Sequence, residues 1–159
     1  MPSWTRVDLA PGVALYVEAE GDALRRAIFR PSTPQGWNED ERKDKDPLLK
    51  QAAVELKQYM AGKRRVFSLP FELDGTEFQC RVWAELIKIP FGELSTYAAI
   101  AKNLKNPGAV RAVGAANGKN PLSIIVPCHR VIASDGSLAG YSGGIEVKRM
   151  LLRREGIEP

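Results

Sequence analysis

The chain has only two cysteines, Cys80 and Cys128, and a single histidine, His129, among its 159 residues. Two thiols with no Cys-x-x-Cys spacing cannot staple a disulfide scaffold, and they point to a reducing, cytoplasmic setting. Two cysteines and one histidine also fall short of the four ligands of a structural zinc site; a carboxylate-bound metal stays open but no residue pattern points to one, and no metal or cofactor is expected. Long apolar runs are missing too. None approaches the roughly 18 residues that a membrane span needs, and the first residues lack the charged-then-apolar layout of a signal peptide. No membrane partner is therefore expected. Repeats and low-complexity tracts are absent, and 44% hydrophobic with 26% charged residues excludes a mostly disordered or fibrous chain.

Charge is present but unevenly placed. Residues 1–74 hold 12 Lys/Arg against 12 Asp/Glu, and residues 75–159 hold 11 against 7, so the whole net charge of +4 sits in the second half. Such an excess fits either a polyanionic partner or a solvated basic surface. The patterning divides the chain near the same place. Trp4–Leu9, Val13–Ala19 and Leu24–Phe29 alternate apolar and polar residues around Pro11-Gly12 and Gly21-Asp22, which predicts a small antiparallel sheet. Asp46-Pro47 then reads as an N-cap followed by a first helical residue. Leu48, Ala52, Leu56 and Tyr59 follow at helical spacing. Arg65–Phe71 reads as a further strand or an extended linker. The expected class is α+β, with an α/β domain over residues 1–73 and a mostly helical domain over residues 74–159.

The second domain opens with a capping box, Thr76-Glu-Phe-Gln79, and an apolar stripe of Phe78, Val82 and Leu86. Ser95 is expected to cap a short helix over Thr96–Asn103. Asn106-Pro107 repeats the cap-then-proline signal and predicts another helix from Pro107 to Ala116. Two short helices around a tight turn suggest a helix-turn-helix of winged-helix type. The second of them is built from small residues, Ala109, Ala112 and Gly114 among them, with Arg111 its only charge. That bare face suits either a nucleic-acid groove or close packing against another helix. Leu122–Val126 reads as a buried strand that delivers Pro127-Cys128-His129, and Val131–Leu138 as a hairpin continuing from it. A last helix, Ile145–Glu155, closes at Gly156.

Cysteine attacks as thiolate, and its unperturbed pKa near 8.5 calls for a base. His129 has the only side chain that titrates unperturbed near neutrality. Neighbours on a strand face opposite ways, so a bridging water between the two is one arrangement and an inert buried cysteine is the other.

Taken in order, several segments resemble one family. They are Gly75-Thr-Glu-Phe-Gln-Cys-Arg-Val-Trp83, Ile89-Pro-Phe-Gly-Glu-Leu-Ser-Thr-Tyr97, Ala109-Val-Arg-Ala-Val-Gly114, Asn117-Gly-Lys-Asn-Pro121, Ile125-Val-Pro-Cys-His-Arg-Val131 and Gly140-Tyr-Ser-Gly-Gly144. The set closely resembles the O6-alkylguanine-DNA alkyltransferases, or methylated-DNA–protein-cysteine methyltransferases, densely over residues 73–156. The resemblance implies a monomer acting on double-stranded DNA that contains alkylated guanine, and it leaves O4-alkylthymine open as a second substrate. It implies that Cys128 accepts the alkyl group, with His129 as its base through water and Glu155 orienting and charging the histidine, so that the pair lowers the pKa of the thiol. It makes Asn120 a hinge to the active-site segment. Tyr97 rotates the 3′ phosphate and Arg111 fills the gap left by a flipped base. The helix carrying Ala109, Ala112 and Gly114 lies in the minor groove, and Val131, Tyr141, Ser142 and Gly143 belong to the guanine pocket. Some relatives hold an N-terminal zinc, which this chain cannot, having no cysteine or histidine before Cys80. Inactive relatives replace the acceptor with tryptophan, whereas Cys128 is retained. A thioether cannot ionise, so each molecule is expected to act once. The rival readings are a helix-turn-helix module that only recognises damaged DNA and a Cys-His hydrolase that turns over many times.

Overall fold

The computed structural model describes residues 2–159. The chain forms two compact units, Met1–Leu73 and Asp74–Pro159.

In the first unit, β1 (Pro2–Ala10), β2 (Val13–Glu20) and β3 (Ala23–Phe29) form an antiparallel meander in the order β1-β2-β3. Its registers run from Pro2 opposite Glu20 and from Leu15 opposite Phe29. Ala14 to Val17 of β2 are all buried, so both faces of the sheet are covered. Side chains alternate between faces. Ala14 and Tyr16 therefore share a side, where they join a cluster with Trp4, Ile28 and Trp37. Trp4 Nε1 donates to the Asn38 carbonyl at 2.8 Å, which fastens the polar 30s loop to this cluster. Helix α1 (Pro47–Met60) packs against β1 and β2 and buries Leu49, Ala52, Leu56 and Tyr59. Asp46 caps it, accepting the Leu49 N–H at 3.2 Å, with Pro47 as its first residue as the sequence predicts. Residues 65–71 are extended and join the sheet only by a bridge from Phe71 to Leu24.

The second unit is mostly helical. Helix α2 (Glu77–Ile87) begins with the predicted capping box, Thr76 accepting from the Gln79 N–H at 3.1 Å and Gln79 from the Thr76 N–H at 2.9 Å. It buries Val82, Trp83 and Leu86. After a turn come the two-residue strand β4 (Ser95–Thr96), α3 (Tyr97–Asn103) and α4 (Val110–Gly118). Helices α2, α3 and α4 pack on one another, and Trp83 Nε1 reaches the Ala116 carbonyl of α4 at 2.9 Å. Thus α3 and α4 form the helix-turn-helix. A second short strand, β5 (Val131–Ile132), pairs in parallel with β4. Helix α5 (Ile145–Arg154) ends at Glu155, and Gly156 follows at φ +84° in the left-handed region. Gly156 N–H bonds to Arg153 at 3.0 Å and Ile157 N–H to Leu152 at 2.9 Å, a Schellman closure that satisfies the last carbonyls. Along α5 and its cap, Lys148, Leu151, Leu152 and Glu155 form one buried stripe at helical spacing. No helix among the described residues is long and apolar enough to cross a membrane.

Four local expectations are corrected. Thr96, not Ser95, caps α3, accepting the Ala99 N–H at 3.0 Å, because Thr96 itself pairs with Ile132 and the helix begins one residue later, at Tyr97. Asn106-Pro107 does not open a helix. It opens a β-turn closed by Ala109 N–H to Asn106 O at 3.0 Å, and α4 starts at Val110. Proline after asparagine serves the second position of a turn as well as the first of a helix. Leu122–Val126 is no strand. It folds into a tight buried loop, with Val126 N–H on the Leu122 carbonyl at 2.9 Å and Ile124 at φ +72°. Cys128–Arg130 follows as one turn of 3-10 helix, and residues 133–137 close a tight turn rather than a paired hairpin.

Gly75 packs where no side chain fits. A Cβ there would lie 2.5 Å from Cη2 of the fully buried Trp83 and 2.7 Å from Gln79 Oε1. Gly75→Ala is expected to destabilise the fold by about 1–3 kcal/mol through overpacking. A fall in Tm relative to wild type checks it by thermal melting.

Candidate active site

The site grows from the loop that follows α4. Asn120 is buried at 8% exposure, and its side chain satisfies the turn that would otherwise strand its own polar groups. Its Nδ2 donates to Val126 O at 2.9 Å, and its Oδ1 accepts the Leu122 N–H at 3.0 Å. This cross-brace lets an apolar segment stay buried without strand pairing, and it sets Cys128 at the start of the 3-10 turn. The Cys128 backbone is held from the other side by α4, whose Asn117 donates Nδ2 to the Cys128 carbonyl at 3.4 Å.

Cys128 is 3% exposed and opens into a cleft of about 490 Å³. Tyr97, Gly114, Asn117, Tyr141 and Ser142 line the same cleft. Tyr97 is the first residue of α3, so the helix-turn-helix contributes it to the cleft that holds the cysteine. Burial and the neighbouring thiolate charge push the Tyr97 phenol up, against the Asn117 side chain. The cleft also takes in Gly118, Ala139 and Gly140, which the sequence reading did not single out. Val131 is fully buried beside the cleft rather than on its lining, and its carbonyl accepts from Lys148 at 2.7 Å. Gly143 lies one residue beyond the lining loop.

His129 is fully buried, and its Nε2 lies 2.6 Å from Glu155 Oε2. Glu155 is also held by Arg130, through Nε at 2.8 Å and Nη2 at 3.2 Å, and by the Gly92 N–H at 2.9 Å. Burial alone would raise the carboxyl, but His129, Arg130 and Gly92 outweigh it and hold Glu155 down to about 2. Burial lowers His129 against the pull of Glu155.

The thiol departs from expectation. His129 and Glu155 were expected to lower its pKa, yet burial pushes Cys128 up. The groups that favour the thiolate are Asn120, Lys148 and Tyr141. Lys148 is an unforeseen member of the site. It is fully buried, donates to the carbonyls of Val131 and Leu138, and is lowered to about 8 by burial, against the Cys128 charge. A lysine in a helix that reads as basic and solvated carries no sequence signal of burial. Its place in the stripe with Leu151 and Leu152 is the one hint.

Arg111 and Ala112 are exposed on the outer face of α4, and Ala109 and Gly114 are half-buried beside them. They stand apart from Cys128, except Gly114, which reaches the cleft. Cys80 lies at the start of α2, with Sγ 3.8 Å from the Gly75 carbonyl, away from this cleft. No cluster of three or more His, Cys, Asp or Glu side chains suited to a metal occurs among the described residues.

A helix-turn-helix that presents a tyrosine to a buried cysteine, backed by a histidine–carboxylate pair, defines a cysteine-centred group-transfer class built on a nucleic-acid-binding scaffold. Comparison with known proteins narrows it. The DNA-binding domain of 6-O-methylguanine DNA methyltransferase matches residues 77–157, and the ribonuclease-like domain of the same proteins matches residues 14–73. The methylated-DNA–protein-cysteine methyltransferase of Methanosarcina mazei is 46% identical over 151 residues, covering 92% of each chain. That of Methanosarcina acetivorans is 47% identical over 123 residues, covering 77% of this chain and 76% of its own. The crystal structure of Mycobacterium tuberculosis OGT in complex with DNA is 40% identical with a TM-score of 0.85, covering 99% of this chain and 95% of that one. The chain belongs to the 6-O-methylguanine DNA methyltransferase family.

The buried carboxylate makes the fold acid-labile. Glu155 titrates near 2 when folded and near its ordinary 4.5 when unfolded, so the unfolded chain takes the proton first as pH falls. Its contribution is full above pH 4.5 and is lost between 4.5 and 2. His129, held below its ordinary 6.5, adds to the loss from that pH downward. Melting temperature followed against pH should therefore drop through this range. Glu155→Gln should flatten the drop between 4.5 and 2 while costing about 3–5 kcal/mol at neutral pH, because Arg130 loses its buried partner.

Proposed function

We propose that this protein repairs alkylated DNA by taking the alkyl group of an O6-alkylguanine onto Cys128, once per molecule. The observation that carries the reading is the Cys128 thiol on the lining of a cleft shared with Tyr97, beside a buried His129–Glu155 pair, in a chain of this family. The unit Asp74–Pro159 holds both the helix-turn-helix and the cleft, and it performs DNA binding and transfer.

A thiolate is a soft nucleophile suited to saturated carbon. The Cys128 proton passes through a bridging water to His129, which Glu155 orients. The Sγ–C bond forms as the C–O bond breaks, and the electron pair leaves on the guanine oxygen. Tyr97 supplies a proton to that oxygen, which yields the unmodified base, and its place at the start of α3 also lets it turn the 3′ phosphate. The thioether left behind has no proton to lose, so the nucleophile is spent. Reaching the cleft requires the base to leave the stack, at a cost of a few kcal/mol. The exposed face of α4, with Ala112 beside Ala109 and Gly114, allows close approach to a minor groove, and Arg111 fills the vacated position. Tyr141 and Ser142 on the cleft lining hold the guanine, with Val131 and Gly143 supporting the lining from behind, and Asn120 keeps the cysteine loop in register. The protein acts as a monomer, without a cofactor, in the cytoplasm.

The deciding experiment is intact mass after mixing with duplex DNA carrying O6-methylguanine. A gain of one methyl in place of hydrogen, mapped to Cys128 and lost in Cys128→Ala, is the expected outcome. Methyl on Cys80 would refute the assignment. No covalent gain despite binding would favour a recognition module, and multiple turnover of a small ester would favour a hydrolase.

Arg111 separates extrusion from chemistry. Arg111→Ala should slow repair in duplex DNA far more than it slows alkylation by the free base O6-benzylguanine, which needs no flipping. Equal slowing on both substrates counts against this role. Duplex affinity should fall with salt in proportion to phosphates contacted and vary little with sequence.

A further inference from the structure

Glu155 has more partners than a histidine-orienting carboxylate requires. Arg130 grips it through two donors, at 2.8 and 3.2 Å, in the forked geometry of a strong charge-assisted pair. The third arm of the same guanidinium donates Nη1 to the Ile89 carbonyl at 2.7 Å, and its centre lies 5.8 Å from the Phe91 ring. Arg130 is itself buried, at 6% exposure. The carboxylate charge is therefore balanced before His129 changes state.

The charge count of this cluster decides what His129 is at rest. A buried carboxylate facing a buried imidazole alone would draw a proton and hold an imidazolium, since an ion pair is the cheaper way to bury that charge. With Arg130 present, Arg130, Glu155 and a neutral His129 sum to zero. Protonating the ring would leave one uncompensated positive charge in a buried space. Lys148, from α5, adds a second cation that opposes the imidazolium. Helix α2, which packs on the same turn, buries only the uncharged Val82, Trp83 and Leu86. Glu155 is the one group that favours the charged ring, and Arg130 offsets it. An ionised carboxylate only accepts, so the neutral ring carries its proton on Nε2 toward Glu155 and keeps its lone pair on Nδ1.

We propose that Arg130 is a positioning residue of the transfer site: by neutralising Glu155 it keeps His129 an uncharged imidazole, competent to accept the Cys128 proton. This rests on the reading of Cys128 as nucleophile and His129 as its base. Arg130 touches neither thiol nor substrate and acts through Glu155. When the thiol attacks, its proton moves to His129 and the thiolate charge becomes a bond to carbon. The departing base takes its proton from Tyr97, the imidazolium proton passes on to restore the Tyr97 phenol, and the cluster is neutral again.

The chain has one histidine, so its imidazole signals in an NMR pH titration of the full-length protein belong to His129 without further assignment. In the wild type the titration midpoint should lie below the ordinary 6.5. Arg130→Met should raise it by about one pH unit or more, and Arg130→Lys, which restores the charge without the fork, should bring it most of the way back. The rate of Cys128 carbamidomethylation by iodoacetamide, read by peptide mass between pH 5 and 9, should shift along the pH axis in step. A wild-type midpoint at or above 6.5 overturns the proposal even if Arg130→Met fails to fold. So does a folded Arg130→Met with an unmoved midpoint, or with a slower rate but an unshifted profile, which marks a merely structural arginine. Methyl transfer from duplex DNA, measured on the wild type in parallel, separates the readings. Its absence beside a shifted histidine sinks the assignment of Cys128, and its presence beside an unshifted one sinks that of Arg130.

Discussion

A single carboxylate, walled off from water, sets the arrangement of the second unit. An ionised Glu155 is tolerable in the interior only if every lone pair finds a donor. Those donors come from two stretches far from Glu155 in sequence: the turn after α2 through Gly92, and the 3-10 turn through His129 and Arg130. Meeting that demand brings the approach to the helix-turn-helix, the cysteine segment and the last helix to one point. Chemistry and architecture are thus served by the same few bonds. The Schellman closure at Gly156 belongs to this logic, because it ends α5 where Glu155 can turn inward while the chain leaves outward.

Helix α4 shows how one short helix meets opposite demands. Its inner side carries Val113, Ala116 and Asn117, and Trp83 ties its last turn to α2. Its exposed residues are Val110, Arg111, Ala112, Ala115 and Gly118, with little beyond Cβ after the arginine. Asn117 links the two, since the helix that faces outward also bonds the carbonyl of Cys128. A displacement of α4 is thereby felt at the nucleophile through one hydrogen bond.

Local chemistry was the most legible part of the sequence. The capping box at Thr76, the Asp46-Pro47 start and the Gly156 stop all rest on bonds within a few residues, and each occurs as read. The three-strand meander was legible for the same reason, from alternation and turn residues. Where the reading failed, a bond that composition alone does not reveal decided. Leu122–Val126 has a strand's composition, but Asn120 satisfies its backbone from within the loop and no partner strand is needed. Ser95 would cap a helix that began at Thr96, but Thr96 pairs with Ile132 and the helix begins at Tyr97. The cysteine, the histidine and their carboxylate were legible through family resemblance. Lys148 was not, because its burial depends on carbonyls of Val131 and Leu138 that no local pattern announces.

The buried stripe of α5 carries one more implication. Lys148 and Glu155 are seven residues apart, two turns of helix, and Leu151 and Leu152 fill the space between them. At 1.5 Å per residue the two charges stand about 10 Å apart along the axis and on one side of it. The helix therefore works as a ruler with a cation at one mark and an anion at the other. Adding or removing a residue between the marks would swing one charge by about 100° around the helix, out of the interior and away from its carbonyls or its histidine. The number of residues from Lys148 to Glu155 is therefore part of the site, as much as the identity of either charge.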